Sequence, residues 1–282
     1  MKKDCNVVLL GSNGYLGRTL TVRLQRDVAV FPTHRQGALF PSSLQYDFWT
    51  DDLTPLLSLC QADIVVIAMN VAYVAQDPVV DSRLFRLRVG KLVHACRERR
   101  VIYISSDGIF DGRSGMYTET DVPHPITPYG KNLQFFEERV REFCDDYCII
   151  RPSYLFGYAH AELDRRLARV RAGLLAGEHF TFFKDMIKSP LDVNQAAEAI
   201  AQITLSNYIG VVHVGGVAMS VYDFYHTAMQ TLQVPCEGLS ASMMPADSTM
   251  PKNTSLDIRL MKGLTGVRPY TVQEALQRIP VE

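Results

Sequence analysis

"VVLLGSNGYLGRTL", residues 7–20, decides the fold of this chain. A short apolar run ends in a glycine, and an amphipathic stretch begins a few residues later. Gly11, Gly14 and Gly17 give G-x-x-G-x-x-G between a strand and a helix. The first glycine allows a tight turn and the second lets a pyrophosphate approach the backbone. The third lets the helix pack closely on the strand, with phosphates at the helix N-terminus. The motif predicts a dinucleotide site that includes Gly11, Asn13, Gly14, Tyr15, Leu16 and Gly17. A glycine-rich turn with no ligand has the same local pattern, but its place on the first strand of an alternating chain favours the dinucleotide.

Outward from that motif, short apolar runs alternate with amphipathic stretches. "NVVLL" (6–10), "VAVFPTH" (28–34), "DIVVIAMN" (63–70), "VIYISS" (101–106), "CIIRPSYLF" (148–156) and "GVVHVGG" (210–216) read as strands. "YLGRTLTVRLQ", "SRLFRLRVGKLVHACRER", "YGKNLQFFEERVREFC" and "NQAAEAIAQITL" have helical spacing. This order predicts an α/β protein, a Rossmann-type doubly wound parallel sheet with a smaller C-terminal lobe. The expected division is a sheet domain over 1–153, rejoined by about 190–216, and a substrate lobe over 154–189 and 217–282.

Bulk properties narrow the function. In 282 residues, 47% are hydrophobic and 21% charged, with a formal net charge of −1. That balance is globular, and it argues against nucleic acid or an acidic membrane surface as partner. The N-terminal apolar run is too short for a signal peptide or a membrane span. The six scattered cysteines (5, 60, 96, 144, 148 and 236) read as free thiols, which fits a cytoplasmic protein. Cys144 and Cys148 are spaced to share a helix face, but no second pair joins them, so no metal site is expected.

The end of the second strand bears on the cofactor. An acid there holds a ribose 2′-hydroxyl, whereas "FPTHR" offers Arg35, which can pair with a 2′-phosphate. NADP is therefore expected, with NAD as the alternative and a solvated arginine as the plain reading. Asp47 in "YDFWTD" and the strand end Ala68, Met69 and Asn70 are assigned to the same cofactor site.

"ISSDGIFDGRSGMYTETDVPHPITPYGK" resembles the extended short-chain dehydrogenase/reductase superfamily, in its dTDP-4-dehydrorhamnose reductase-like branch. "IIRPSYLFG", "SPLDVNQAAEAI", "GVVHVGG" and "PKNTSLDIRLMKGLTGVRP" are similar to successive segments of that branch. The resemblance implies a nucleotide-linked keto-sugar as substrate and, at family level, a homodimer. It implies that Ser106 holds the substrate carbonyl and that Tyr129 protonates its oxygen while also meeting the cofactor. It places Asp107 and Tyr154 against the substrate.

One position departs from the family pattern Y-x-x-x-K. Residues four apart share a helix face, so the lysine lowers the tyrosine pKa from about 10 and reaches the ribose. Here that position is Leu133. Lys131 is two residues from Tyr129, a rotation of about 200°, and should face away. Glu137 falls where relatives carry a helix glutamate, which argues against a slipped register. Phe85 falls where many relatives carry a relay asparagine, unless the register of that helix is shifted. Lys184 and Lys188 in "FFKDMIKSP" lie near the expected substrate side but read as solvated lysines. Tyr154, Arg165, Arg166 and Arg169 could meet a diphosphate, although a helix with this many arginines is more often a solvated face. Three readings follow: an NADP-dependent reductase with an altered proton relay, a non-catalytic regulatory or assembly subunit, and an epimerase or dehydratase of the same fold.

Overall fold

The computed structural model describes residues 5–77 and 80–278, so the two N-terminal lysines lie outside the described residues. The first half runs β1 (Asn6–Leu10), α1 (Tyr15–Leu24), β2 (Ala29–His34), β3 (Leu44–Gln45), α2 (Thr54–Leu59), β4 (Ile64–Ile67), α3 (Val71–Val74), α4 (Ser82–Cys96), β5 (Arg100–Ile104), α5 (Pro128–Phe143) and β6 (Tyr147–Pro152). Then come β7 (Leu155–Phe156), β8 (Tyr158–Ala159), β9 (Glu162–Leu163), α6 (Arg165–Leu175), β10 (Phe180–Phe183), β11 (Ile187–Lys188), β12 (Leu191–Asp192), α7 (Val193–Leu205) and β13 (Gly210–Val214). The chain closes with β14 (Met219–Ser220), α8 (Val221–Thr231), β15 (Leu239–Ser242), α9 (Arg259–Thr265) and α10 (Val272–Gln277).

Seven strands form one parallel sheet in the order β13-β6-β5-β4-β1-β2-β3. Chain order steps outward from β1 to one side and from β4 to the other. Between these two strands the connections diverge and leave a crevice at the carboxyl edge. Val7 to Leu10 of β1 are fully buried, as Val-rich strands covered by helices on both faces must be. The expected Rossmann-type sheet is therefore present.

Local chemistry sets the two helix starts that matter. Gly11 has φ +93°, open to glycine at little cost, and accepts the Gly14 N–H at 3.1 Å. A side chain at Gly17 would bring its Cβ within 2.1 Å of the Gly11 carbonyl oxygen, so α1 can lie on β1 only with glycine there. At α5, Thr127 caps the helix by accepting the Gly130 N–H at 3.1 Å, and Pro128 occupies the first turn. Such a cap contributes about 1 kcal/mol.

A second core lies beyond β6, where Phe156, Leu167, Val170, Phe224, Met229, Leu239 and Leu276 pack together. The sequence reading gives all of 217–282 to this lobe, but Leu256, Ile258 and Met261 pack into the core of the sheet. The reading also runs two strands too long. β4 stops at Ile67, and Asn70 directly precedes the short α3; β6 stops at Pro152, before a separate pairing of β7 with β12. Cys144 caps the end of α5 and Cys148 lies in β6, so they share no helix face; Cys60, Cys96, Cys144, Cys148 and Cys236 are free thiols. Among the described residues no helix is long and apolar enough to cross a membrane.

Candidate active site

The carboxyl edge of the sheet collects most of the expected cofactor residues. A cleft of about 290 Å³ is lined by Gly11, Asn13, Gly14, Arg35, Asp47, Ala68, Met69 and Asn70, with Phe48 and Trp49. No side chain caps the start of α1 here. The N–H groups of its first turn therefore remain available to an anion. The Asn13 amide donates to the Gln36 and Gly37 carbonyls at 3.3 and 2.7 Å, while its Oδ1 is buried without a partner. Arg35 is exposed and has no carboxylate partner among the described residues. The Tyr15 side chain is engaged elsewhere. Its hydroxyl donates to the Gly157 carbonyl at 3.0 Å, tying α1 to the lobe rather than facing the cleft.

Ser106 and Tyr129 meet at the next strand end. Ser106 follows β5 and accepts the Gly108 N–H at 3.2 Å, opening a single 3-10 turn over Asp107–Ile109. The Tyr129 ring lies on that turn: a Cβ built at Gly108 would be 3.1 Å from its Cε1 and 3.6 Å from Ser106 Oγ. Gly130 makes the approach possible, since a Cβ there would fall 2.3 Å from the Gly108 carbonyl oxygen. Tyr73 packs edge-on against the Tyr129 ring at 6.1 Å. Burial pushes the Tyr129 hydroxyl up to about 12, a hydrogen bond with Ser106 works against this, and the Asp107 charge adds to it.

The helix face around Tyr129 carries no cation. Leu133 is buried in the core of the sheet domain. Lys131 is exposed on another side of α5, in an open groove with Arg86, Asp111, Arg113 and Glu138. Phe85 lies in the core against Phe48 and Phe135, at 6.4 and 6.3 Å between ring centroids. Glu137 is buried and accepts from Ser105 at 2.6 Å and from Arg151 at 3.0 and 2.7 Å. Its role is to fasten α5 to β5 and β6.

Asp107 is the most connected carboxylate of the site. Its Oδ1 accepts from Ser106 at 3.0 Å, and its Oδ2 accepts from Ser153 at 3.1 Å, Lys188 at 3.1 Å and Thr254 at 2.7 Å. Lys188 also donates to Thr254 at 2.8 Å, and its side chain is only 18% exposed. It is therefore no solvated lysine, which corrects the sequence reading. Lys184 shows no such contact among the described residues. Thr254 and Ser153 come from "PKNTSLD" and "IIRPSYLFG", where the sequence reading assigns only Tyr154 to the site.

The lobe residues are engaged with one another. The Tyr154 hydroxyl bonds that of Tyr225 at 2.7 Å, and the Arg166 guanidinium lies 3.9 Å over the Tyr154 ring. Arg166 also pairs with Asp164 at 3.3 Å and Arg169 with Glu178 at 2.7 Å, while Arg165 is exposed.

The chain matches the family described as RmlD substrate binding domain over residues 5–281. It is similar to the probable low-salt glycan biosynthesis reductase Agl14 of Haloferax volcanii, with 26% identity over 94% of each chain. It is 28% identical to the dTDP-4-dehydrorhamnose reductase of Aggregatibacter actinomycetemcomitans over 64% of this chain and 65% of that one. Its fold is similar to that of the dTDP-4-dehydrorhamnose reductase of Bacillus anthracis solved with NADP, at TM-score 0.81, 19% identity and 99% of both chains. With a match that spans nearly every residue, the chain belongs to the RmlD substrate binding domain family.

Proposed function

We propose that the protein is an NADP-dependent reductase of a nucleotide-linked 4-keto-sugar with an atypical active site. The observation that carries this reading is the convergence of Ser106 and Tyr129 beside the glycine-loop cleft. Curated relatives named as reductases support the reaction class.

The cleft fits a dinucleotide. Glycines clear the start of α1, Asn13 Oδ1 lacks a partner, and Arg35 is free to meet a 2′-phosphate. When bound, the reduced nicotinamide supplies the hydride for the carbonyl carbon. Ser106 holds the carbonyl oxygen, and Tyr129 gives that oxygen its proton, becoming a phenolate that solvent reprotonates. A tyrosine held at about 12 is fully protonated at neutral pH, ready to donate, but it gives up its proton reluctantly. Turnover is accordingly expected to be slow.

The second reading is a cofactor-binding regulatory or assembly subunit. The buried Leu133 favours it, because no helix cation assists Tyr129. Purified protein supplied with NADPH and a dTDP-4-keto-6-deoxy sugar separates the two. Loss of the reduced-nicotinamide absorbance supports the reductase, whereas tight NADPH binding without turnover supports the subunit.

A further inference from the structure

We propose that Lys188 is the cation of this active site, a positioning residue that cancels the Asp107 charge beside the oxygen that turns negative as the carbonyl is reduced. The inference rests on the reductase reading and adds a residue to it. The geometry is a short chain of contacts. Lys188 Nζ is 3.1 Å from Asp107 Oδ2, and Ser106 Oγ is 3.0 Å from Asp107 Oδ1. Ser106 in turn adjoins the Tyr129 ring across Gly108.

A carboxylate so close to the carbonyl oxygen is a hazard for reduction. Unpaired, it would repel the developing alkoxide and hold the Tyr129 proton more tightly. Other charged groups nearby are committed elsewhere. Glu137 is paired with Arg151, and Arg151 also faces His213 and the Phe110 ring. Lys252 is paired with Asp185 at 2.8 Å. Lys131 is exposed on another side of α5. The charge on Asp107 is met by Lys188 alone among the described ion pairs.

Lys188 is also held in place. β11 pairs antiparallel with β14, and the Ile187 N–H donates to the Lys252 carbonyl at 2.8 Å while its own carbonyl accepts from Thr254 at 3.1 Å. Thr254 is completely buried and shares Asp107 Oδ2 with the lysine. Two of the three ammonium protons are thus spent on Asp107 and Thr254. The cation reaches the site from the lobe, whereas a lysine at position 133 would reach it from α5.

The test places a trifluorotyrosine, acidic enough to ionise below the range in which lysine loses its proton, at position 129 of the full chain without cofactor and follows its ionisation by fluorine NMR. Lys188→Met should raise its pKa by about half a unit or more, because Asp107 is then uncompensated. Lys188→Arg should leave it near the starting value, and Lys188→Met with Asp107→Asn should bring it back. Should Lys188→Met fail to fold, Lys188→Gln, which keeps a hydrogen-bond donor without the charge, takes its place and must raise the value likewise. An unchanged titration in the variant that decides overturns the proposal. In turnover, Lys188→Met should lower kcat about tenfold or more with KM little changed, and the double variant should recover part of the loss. If the unaltered protein shows no turnover at all, the reductase reading fails, while the titration still decides the role of Lys188.

Discussion

Arg151 on β6 grips both oxygens of Glu137 on α5, at 3.0 and 2.7 Å, and the arginine has no exposed surface. Ser105 completes the carboxylate at 2.6 Å, one residue before Ser106. The pair therefore sets the position of α5, which carries Tyr129, against the strand end that carries Ser106. Removing one partner of a buried pair strands the other charge. Glu137→Ala should cost about 3–5 kcal/mol in denaturant unfolding. A loss below about 1 kcal/mol would show that the pair is solvated in the folded protein.

His213 packs against the same arginine, with its Nε2 3.4 Å from the guanidinium and its Nδ1 3.0 Å from the Tyr117 carbonyl. Burial and then the Arg151 charge push its pKa down to about 4. In the unfolded chain it titrates near 6.5. Its contribution is present above pH 6.5 and is lost as pH falls towards 4, by on the order of 3 kcal/mol at most. His213→Asn should flatten the stability curve in that window, as read by thermal unfolding across pH.

Gly17 tests the glycine loop. A methyl group there meets the Gly11 carbonyl oxygen at 2.1 Å, so Gly17→Ala must lift α1 from β1. NADPH affinity measured by fluorescence titration should fall at least about tenfold, and stability should drop by about 1–3 kcal/mol through overpacking. Unchanged affinity would remove the loop from the cofactor site.

Arg35 tests the choice of cofactor. It lines the cleft with Asp47 and has no acidic partner among the described residues. Arg35→Ser should weaken NADPH by about tenfold and leave NADH nearly unchanged, since only the former carries a 2′-phosphate for a charge-assisted pair. Equal weakening of both cofactors would assign Arg35 to general binding.

The sheet was legible because its strands are unbroken Val- and Ile-rich runs and its first turn needs three glycines in register. Ser106 and Tyr129 were singled out by the family resemblance of the segments that hold them, and the fold brings that strand end and that helix start together. Lys188 was not, because it meets Asp107 across 81 residues and lies in a stretch with no period to mark one face as buried. Arg151 was hidden in the same way. A strand of "YCIIRP" predicts burial for its apolar members, and only the fold brings Glu137 opposite the arginine. The return of 253–258 to the sheet was equally silent: its anchors are hydrogen bonds, Asn253 N–H to the Gly112 carbonyl and Asp257 N–H to the Tyr117 carbonyl.

The proton donor is the centre of the proposed reaction, and it is tested by NADPH consumption with a dTDP-4-keto-6-deoxy sugar in three proteins. The unaltered chain should turn over slowly. Tyr129→Phe should bind NADPH as before and lose at least about 100-fold in kcat. Leu133→Lys, which returns a cation to the Tyr129 face, should run faster than the unaltered chain. NADPH binding without turnover in the unaltered chain, or full turnover in Tyr129→Phe, would contradict the reductase reading.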